Sequence, residues 1–503
     1  MRVVVRGAQV YPGDGPPLRA DVAFDRGLVA AVGERLEADE VVDGTGALLC
    51  PGFVDLHAHS ALASWDDPLL TPKILQGFTT EVVQPDGLAP APVADVERRR
   101  AYLRALEGDG PPEWPWRTFA EYLDALDATR PATTLVPSAP HGAIRDLVVG
   151  AEPRPATPPE VDEMRRQVWL ALEAGARSLS FGLVYLPGAY ADAAELDAVA
   201  AVAGDAGVPL VPHVRNEGLG VLEAVQELIG VAVRAGAPLH LSHLKSLADE
   251  ALVEPLLALV ESVEGDISFD QYPYGAGCTL LAGLLPQWAQ EGGADATLAR
   301  VGDRRLRERI RRDVAEGLPG WENQLGTLGP ERVHVDGLPL AAHADGADPV
   351  DTVCDLLLET GLAATVVLHY AGEEAVRAVA AHPLQLVGSD GIFGAHPHPR
   401  LHGTAPRFLG RFVLRDGLLP LEEGIARLTA RAAARFGLHD RGRLAVGLRA
   451  DAVLLDPDAF VDTATFEEPR RSPPGVRAVW VAGEAVVRDG RPTGARPGGV
   501  LRS

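Results

Sequence analysis

The sequence is poor in cysteine and lysine, and the shortage of cysteine excludes a class of protein. Its 503 residues include three cysteines, Cys50, Cys278 and Cys354, which lie far apart and form no CxxC pair. A scattered, odd number of cysteines argues against a disulfide framework and favours a reducing, cytoplasmic location. Only two lysines are present, Lys73 and Lys245.

The sequence also lacks an excess of positive charge and a long apolar run. Its formal net charge is −24, whereas nucleic acids and anionic membranes bind basic surfaces. The N-terminal MRVVVRGAQVYPGDG is a short alternating run, so we expect no signal peptide, and no apolar run approaches the length of a membrane span. We therefore expect a small-molecule partner rather than a nucleic acid or a membrane. Oligomeric state has no signal in the sequence.

The two chain ends share a pattern of short strands separated by glycine and proline. Residues 2–48 and 447–503 contain runs such as VVVRGAQV and GVRAVWVAGEAVVRDG, without a long helical period. We predict that both ends pair into one small β-sandwich domain, made of residues 1–50 and 447–503. Residues 51–446 would then be inserted between the two halves of that domain.

The long middle of the chain alternates strand-like apolar runs with amphipathic stretches rich in Ala, Leu and Glu. The strand candidates are, in order, VDLHAHS, TTEVVQPDG, TTLVPSAP, SLSFGLVY, PLVPHVRN, PLHLSHLKS, DISFDQYPY and LQLVGSDG. This alternation is typical of a buried parallel sheet, and eight units predict an α/β fold, a (β/α)8 TIM-like barrel. A ninth candidate, TVVLHY at 365–370, is assigned to an edge or to an insert. Residues 287–345 break the pattern and predict an inserted helical subdomain over the barrel mouth, or else a surface excursion without a role in the site.

Two histidines end the first of these strands. His57 and His59, in PGFVDLHAH, are separated by one residue, and side chains at i and i+2 point to the same face of a strand. An isolated pair of this kind is most often two solvated or core histidines. Further histidines and carboxylates, however, end the other apolar runs, and in parallel barrels the carboxyl ends of the strands converge on one mouth. The complete set of candidate ligands is His57, His59, Asp86, His213, His243 and Asp390. Four imidazoles and two carboxylates suffice for one or two zinc ions, or another divalent metal, with positions left open for water or substrate.

The same motifs resemble those of a known family. PGFVDLHAHS, GFTTEVV, SFGLVYLPGAY, HVRNE, LSHLKS, DQYPY, VGSDG and HPHPR follow one another in the order found in the N-acyl-D-amino-acid deacylase (D-aminoacylase) family of the amidohydrolase superfamily. The resemblance covers nearly the whole chain. It implies a barrel with an appended β-sandwich, a metal centre and hydrolysis of the amide bond of an N-acyl-D-amino acid. The D configuration of the substrate comes from the resemblance alone.

One position departs from the family pattern. The family usually has a metal-binding cysteine in an NCG sequence after the second strand, where this chain has Gln84-Pro85-Asp86-Gly87. An ionised carboxylate can bind or bridge metal ions, but it is a harder ligand than a thiolate. Asp86 is therefore either a ligand or a turn residue of a Pro-Asp-Gly loop.

Asp390, in VGSDG, is the candidate general base and acid. At the end of an apolar strand it would take a proton from the water that attacks the amide and return a proton to the departing amine. The α-carboxylate of the substrate needs cations, and we expect Lys245, on the same strand and face as His243, and Arg400 to supply them. The resemblance adds Tyr274, in DQYPY, as a hydroxyl donor and Tyr185 as a residue that shapes the side-chain pocket.

Two other functions remain open. The same metal chemistry serves hydrolases of cyclic amides or ureides, such as dihydropyrimidine or hydantoin rings. Alternatively, the barrel has lost catalysis and binds or scaffolds, for which the aspartate in place of cysteine is the one indication. Metal content and a substrate screen separate these functions from deacylation.

Overall fold

Parallel strands form the centre of the molecule, whose computed structural model describes residues 2–394 and 396–502. One parallel sheet contains, in spatial order, Gly499–Val500, Thr134–Pro137, Phe78–Val83 and Phe53–Ala58. A second contains, in spatial order, Ala139–Pro140, Leu179–Gly182, Leu210–His213, Leu239–Leu241, Ile267–Asp270 and Gln385–Leu386. Every residue of Phe53–Ala58 and Phe78–Val83 is buried. Burial on both faces explains why these strands are nearly continuous apolar runs in the sequence.

Amphipathic helices connect the parallel strands. They are Thr71–Ile74, Val96–Glu107, Phe119–Ala128, His141–Val148, Pro158–Glu173, Ala193–Ala206, Val221–Ala235, Val253–Glu261 and Glu373–Ala381. Local sequence fixes several ends: the Asp192 side chain accepts a hydrogen bond from the Glu195 N–H group, and helix Ala193–Ala206 ends at Gly207 with φ 66°. A carboxylate N-cap and a left-handed glycine satisfy backbone groups that a helix leaves free at its two ends. The α/β alternation predicted from the sequence is therefore present.

The segment between strands Ile267–Asp270 and Gln385–Leu386 combines helices with an antiparallel sheet. Its helices are Gln287–Gln290, Ala294–Gly302, Arg304–Glu316, Gln324–Leu328, Leu340–Ala344 and Pro349–Thr360. Its sheet has the order Ala276–Leu280, Thr365–His369, Val333–Val335 and Leu338–Pro339. The TVVLHY run therefore belongs to the sheet of this segment. The short strands, two and three residues long, carry too little pattern to be recognised from the sequence.

The two chain ends meet in antiparallel pairing. Ala452–Leu455 lies beside Leu48–Pro51 in a sheet that continues through Val476–Val481, Glu484–Arg488 and Arg491–Pro492 on one side and through Gln9–Val10 and Leu18–Arg19 on the other. A second sheet has the order Leu28–Gly33, Asp21–Asp25, Val3–Arg6 and Glu40–Asp43. The Phe24 and Trp480 rings, one from each sheet, lie 5.4 Å apart in a shared core. The last strand, Gly499–Val500, leaves these sheets and joins the central parallel strands, which the sequence did not indicate.

The remaining helical segments follow the last central strand. They are Arg400–Ala405, the π-helical Pro406–Arg415, Leu421–Leu428 and Ala430–Arg435. Within residues 2–394 and 396–502, no helix combines the length and apolar character needed to cross a bilayer.

Candidate metal centre and active site

The first two candidate ligands face two carboxylates. His57 lies in strand Phe53–Ala58 and His59 follows it directly. His57 Nε2 is 3.6 Å from Asp86 Oδ1 and 3.7 Å from Asp390 Oδ1, while His59 Nε2 is 3.3 Å from Asp390 Oδ1 and 3.8 Å from Asp86 Oδ2. The structure therefore brings together residues that are more than three hundred positions apart in the sequence.

Asp86 reaches this cluster from a strained turn. It lies in the short 3₁₀ turn Pro85–Gly87 after strand Phe78–Val83, with φ 56° and ψ 24°. The Ser180 hydroxyl of a neighbouring strand fixes the turn, because it donates to the Gln84 carbonyl and accepts from the Gly87 N–H group. Asp86 is thus a turn residue, as one interpretation of the sequence held, but its carboxylate also lies among the histidines.

His213 and His243 complete the cluster from the carboxyl ends of two adjacent strands. His213 is the last residue of Leu210–His213, and its ring centroid is 4.6 Å from that of His243. His243 Nε2 is 3.6 Å from Asp86 Oδ1. The expectation that His243 and Lys245 share one strand is wrong, because the strand ends at Leu241 and the chain turns at His243 with φ 34°. The turn aims the imidazole inward, which an extended strand would not do.

The cluster fits a divalent metal ion. Among the described residues, the trios His57–His59–Asp86 and His57–His243–Asp390 each bring one ligand atom per residue within 4.8 Å of the others. Both ring nitrogens of His57 and Oδ1 of Asp86 are buried and make no hydrogen bond. Buried polar atoms are normally satisfied, so these atoms, with their imidazole and carboxylate chemistry, are suited to ligate a cation such as zinc.

The charges around the site also favour a cation. Burial, helped by His243 and Lys245, lowers the pKa of His213 to about 4, which keeps its imidazole neutral and able to coordinate. Burial opposes ionisation of Asp86, yet His57 and His243 hold the pKa of this carboxyl well below its usual range. The centre therefore has a neutral nitrogen donor at His213 and an ionised oxygen donor at Asp86.

Glu107 orients one of the histidines. Its Oε1 is 2.6 Å from Nδ1 of His59, and both side chains are buried. Burial alone would lower the pKa of His59, but Glu107 and Asp390 raise it to about 10. A carboxylate on one ring nitrogen leaves the other directed at the centre, as is common for metal-binding histidines. Glu107 ends helix Val96–Glu107, and no strand-end signal in the sequence could identify it.

Lys245 lies at the edge of the cluster and is paired. Its Nζ donates to Glu217 Oε1 at 2.5 Å and lies 2.9 Å from His243 Nδ1. Glu217 Oε1 is also 3.0 Å from His243 Nδ1. The Glu217 carboxylate therefore fixes both the lysine and the histidine ring. It lies in the HVRNE motif, to which the sequence analysis assigned no individual role.

Arg400 contacts Asp390 and an aromatic ring. Its NH1 is 2.9 Å from Asp390 Oδ2, and its Cζ lies 4.4 Å from the centroid of Tyr272. Burial opposes ionisation of Asp390, but Arg400, His57 and His59 lower the pKa of its carboxyl far below the usual value. The arginine is fully buried behind Asp390, which lines the cleft, and its guanidinium is a permanent cation.

Of the two tyrosines of DQYPY, the one nearest the metal cluster is Tyr272, not Tyr274. The chain turns at Pro273, where the Tyr274 N–H group donates to the Tyr272 carbonyl at 2.9 Å. Tyr272 lines the cleft beside Lys245, whereas the Tyr274 ring lies under Arg407 on another surface. The position of Tyr274 therefore does not support the prediction that it contacts the substrate, since Tyr272 and not Tyr274 lines the cleft. Alternation along a strand would have placed both rings on one face, and the turn removes that relation.

The cleft above the cluster has a polar wall. Tyr185 lines it, and its hydroxyl is 3.0 Å from the Thr279 hydroxyl. The lining also includes Trp321, Glu322 and Gln324 from the segment between the last two central strands. Glu322 Oε1 accepts the Glu217 N–H group at 3.0 Å. The inserted segment therefore reaches the site, although the sequence predicts no role for these three residues.

Comparisons with known proteins show which family this chain resembles. The model of the amidohydrolase family matches residues 40–487. The N-acyl-D-glutamate deacylase of Alcaligenes xylosoxydans xylosoxydans is 36% identical over 513 residues, covering 99% of this chain and 96% of the relative. The D-aminoacylase of the same organism is 32% identical over 507 residues, covering 99% and 97%.

A solved structure of a deacylase is also similar to this chain. It is the N-acyl-D-glutamate deacylase from Bordetella bronchiseptica, complexed with zinc and a phosphonate inhibitor that mimics the tetrahedral intermediate of the reaction. It superposes with a TM-score of 0.84 at 31% identity, covering 100% of this chain and 99% of that chain. The chain therefore belongs to the amidohydrolase family, in the group of N-acyl-D-amino-acid deacylases.

Proposed function

We propose that this protein is a metal-dependent deacylase that hydrolyses the amide bond of N-acyl-D-amino acids and releases a carboxylate and a free D-amino acid. The observation that carries the proposal is the buried cluster of imidazoles and carboxylates with unpartnered donor atoms at the base of an open cleft. The similarity to D-amino-acid deacylases supplies the bond that is cleaved and the configuration of the substrate.

The metal ligands in this proposal are His57, His59, Asp86, His213, His243 and Asp390. Zinc, when bound there, supplies a Lewis acid that polarises the scissile carbonyl and makes water acidic near neutral pH. Glu107 and Glu217 hold the rings of His59 and His243 in the required orientation. The set accommodates one or two ions.

Asp390 is the proposed general base and acid. Its lowered pKa keeps the carboxylate ionised at neutral pH, so it can accept a proton from the water that attacks the acyl carbon. The same carboxyl returns that proton to the amine nitrogen as the carbon–nitrogen bond breaks. Arg400, 2.9 Å away, keeps the carboxylate in place through both steps.

The α-carboxylate of the substrate is recognised by fixed cations. We assign this role to Arg400 and Lys245, with Tyr272 between them, because both cations lie within 6 Å of the Tyr272 ring centroid. Both cations already contact a carboxylate of the protein, so a substrate carboxylate would share them with Asp390 and Glu217. Tyr185 shapes the opposite wall of the cleft.

We also propose the finer architecture that the sequence predicted, a closed (β/α)8 barrel of residues 51–446 with residues 287–345 inserted, and a β-sandwich of residues 1–50 and 447–503, from which the last strand, Gly499–Val500, departs to join the central sheet. Support for closure comes from the hydrogen bonds of Leu56 N–H to Val387 O and of Asp390 N–H to His57 O, which join the first and last central strands. The three unpaired, buried cysteines support the expected cytoplasmic location.

A substrate screen tests the proposed activity. The protein, with its metal content measured, is assayed on matched N-acetyl-D- and N-acetyl-L-amino acids and on dihydropyrimidine and hydantoin rings. We expect turnover of the D series alone and zinc or another divalent metal in the active protein. Turnover of the rings but not of linear amides would favour the cyclic-amide hydrolase. A metal-free protein that gains no activity from added zinc or manganese would favour a binding or scaffold protein.

A further inference from the structure

The inserted segment forms part of the cleft wall, and this part carries a carboxyl group that forms no ion pair among the described residues. Glu322 lies in the loop between helices Arg304–Glu316 and Gln324–Leu328 and is only 6% exposed. One oxygen, Oε1, accepts the Glu217 N–H group, whereas Oε2 is buried and makes no hydrogen bond. Since buried polar atoms are normally satisfied, this oxygen indicates that the cleft receives a group with hydrogen-bond donors.

A second acceptor lies beside it. Gln324, only 8% exposed, lines the same cleft, and its Oε1 is also buried without a partner. Trp321 contributes an aromatic ring to the same wall. Acceptors next to an aromatic ring are suited to an ammonium or guanidinium group, which has only donors and is attracted to aromatic faces.

The cations at this end of the cleft are already used. Lys245 donates to Glu217 at 2.5 Å. Arg215, which also lines the cleft, makes two 3.1 Å contacts with Glu227 and donates to two backbone carbonyls. Two cations therefore face three carboxyls, and Glu322 is the one left over. Burial, with the charge of Glu217, raises the pKa of Glu322 to about 8 although Lys245 opposes the shift, as expected for a buried carboxyl that forms no ion pair of its own among the described residues.

We propose that the side-chain pocket of this deacylase selects N-acyl-D-amino acids whose side chains end in a cation, of the lysine, ornithine or arginine type, and that Glu322 is the residue that binds that cation. This inference rests on the proposed function and narrows its substrate class. The relatives are an N-acyl-D-glutamate deacylase and a D-aminoacylase. The carboxylate of an acidic side chain would lie beside the carboxyl of Glu322. It could bind Arg215 only by displacing Glu227.

The test compares three substrates that differ at the side-chain terminus. N-acetyl-D-lysine carries a cation, N-acetyl-D-norleucine has the same chain without it, and N-acetyl-D-glutamate has the opposite charge. For the wild-type protein we expect kcat/KM to be about tenfold or more higher for D-lysine than for D-norleucine, the size of one charge-assisted hydrogen bond, and lowest for D-glutamate.

The variant Glu322→Gln keeps the shape and the acceptor for Glu217 N–H but cannot ionise when a cationic side chain binds. We expect its kcat/KM for D-lysine to fall to within about threefold of that for D-norleucine. Glu316→Gln, an exposed glutamate of the same inserted segment, is the matched control and should keep the wild-type preference. If Glu322→Gln does not fold, the wild-type ranking of the three substrates decides the question alone.

The outcomes separate this inference from the proposed function. Hydrolysis of D-norleucine without a preference for D-lysine, or equal losses on both substrates in Glu322→Gln, would overturn the inference and leave the deacylase function standing. No turnover of any N-acetyl-D-amino acid would overturn both.

Discussion

The two lysines of this chain are both buried, but they lie in regions of different kinds. Lys73 is fully buried and donates to Asp55 Oδ2 and to the Ser389 hydroxyl, each at 2.6 Å. Lys245 is paired with Glu217 but lines the open cleft. Both ion pairs are desolvated, yet only one of them is accessible to a ligand.

Two residues of one strand show the same difference between the regions. Asp55 and His57 are two residues apart on one strand. Both oxygens of Asp55 are satisfied, Oδ1 by backbone N–H groups of His57 and Ser389 and Oδ2 by the side chains of Lys73 and Ser389. Neither ring nitrogen of His57 has a partner. A satisfied buried network holds the fold together, whereas unsatisfied buried donors and acceptors mark the place where a ligand binds.

The largest effect is expected at the reacting centre. Asp390→Asn removes the proposed base and acid and should lower kcat on an N-acetyl-D-amino acid by about 10³-fold, in the range measured for such groups. Asn keeps the shape of the side chain but leaves the buried Arg400 without its carboxylate, so the rate is measured at a temperature at which the variant is shown to be folded. A rate near that of wild type would remove Asp390 from this role.

Breaking the closed network should instead damage the fold. Lys73→Met leaves the Asp55 carboxylate buried without its cation, which we expect to cost about 3–5 kcal/mol in the free energy of unfolding. Chemical denaturation measures this loss, and kcat of the protein that remains folded should change little. An unchanged unfolding midpoint, or loss of activity without loss of stability, would contradict the distinction between the two regions.

The cleft lysine should affect substrate recognition. Lys245→Ala is expected to lower kcat/KM for an N-acetyl-D-amino acid by about 10²-fold, the size of a lost charge-assisted contact. The loss should be much smaller for the corresponding amide, which has no α-carboxylate. Michaelis kinetics with both substrates decide this, since equal losses would mean that Lys245 supports the site without reading the carboxylate.

The smallest effect is a pH dependence of stability at Glu322. Its pKa is about 8 in the folded protein against an ordinary value of 4.5. Between these values the folded state holds more protons than the unfolded state, so this group makes stability fall as pH rises from 4.5 to 8. Glu322→Gln should therefore gain in melting temperature relative to wild type, by roughly 2 °C, between pH 5.5 and pH 8. A constant difference, or the same gain in Glu316→Gln, would contradict the assignment.

The cluster itself could be predicted from the sequence because its members follow apolar strands, and parallel strands direct their carboxyl ends to one edge. His57, His213 and Asp390 carry that signal. Glu107 carries no such signal, because it ends a helix. Its hydrogen bond to His59 depends on how that helix is packed. Glu322 lies in a loop of the inserted segment, where no periodicity relates sequence to position.

Local backbone turns also limited the prediction. Alternation along a strand relates residues i and i+2 only while the chain stays extended. It does so at His57, but it fails at Lys245, after the turn at His243, and at Tyr274, after the turn at Pro273. At these two positions the turn, and not alternation along a strand, decides where the side chain lies.

Restoration of activity by zinc tests the central claim most directly. The wild-type protein is stripped with a chelator, and hydrolysis of an N-acetyl-D-amino acid is followed as zinc is added and bound zinc is counted. We predict that activity returns in step with the first one or two equivalents bound, and that His57→Asn, folded to the same extent, binds less zinc and regains little. Full activity in the stripped protein, or zinc binding and turnover unaffected by His57→Asn, would contradict the claim that this cluster holds the catalytic metal.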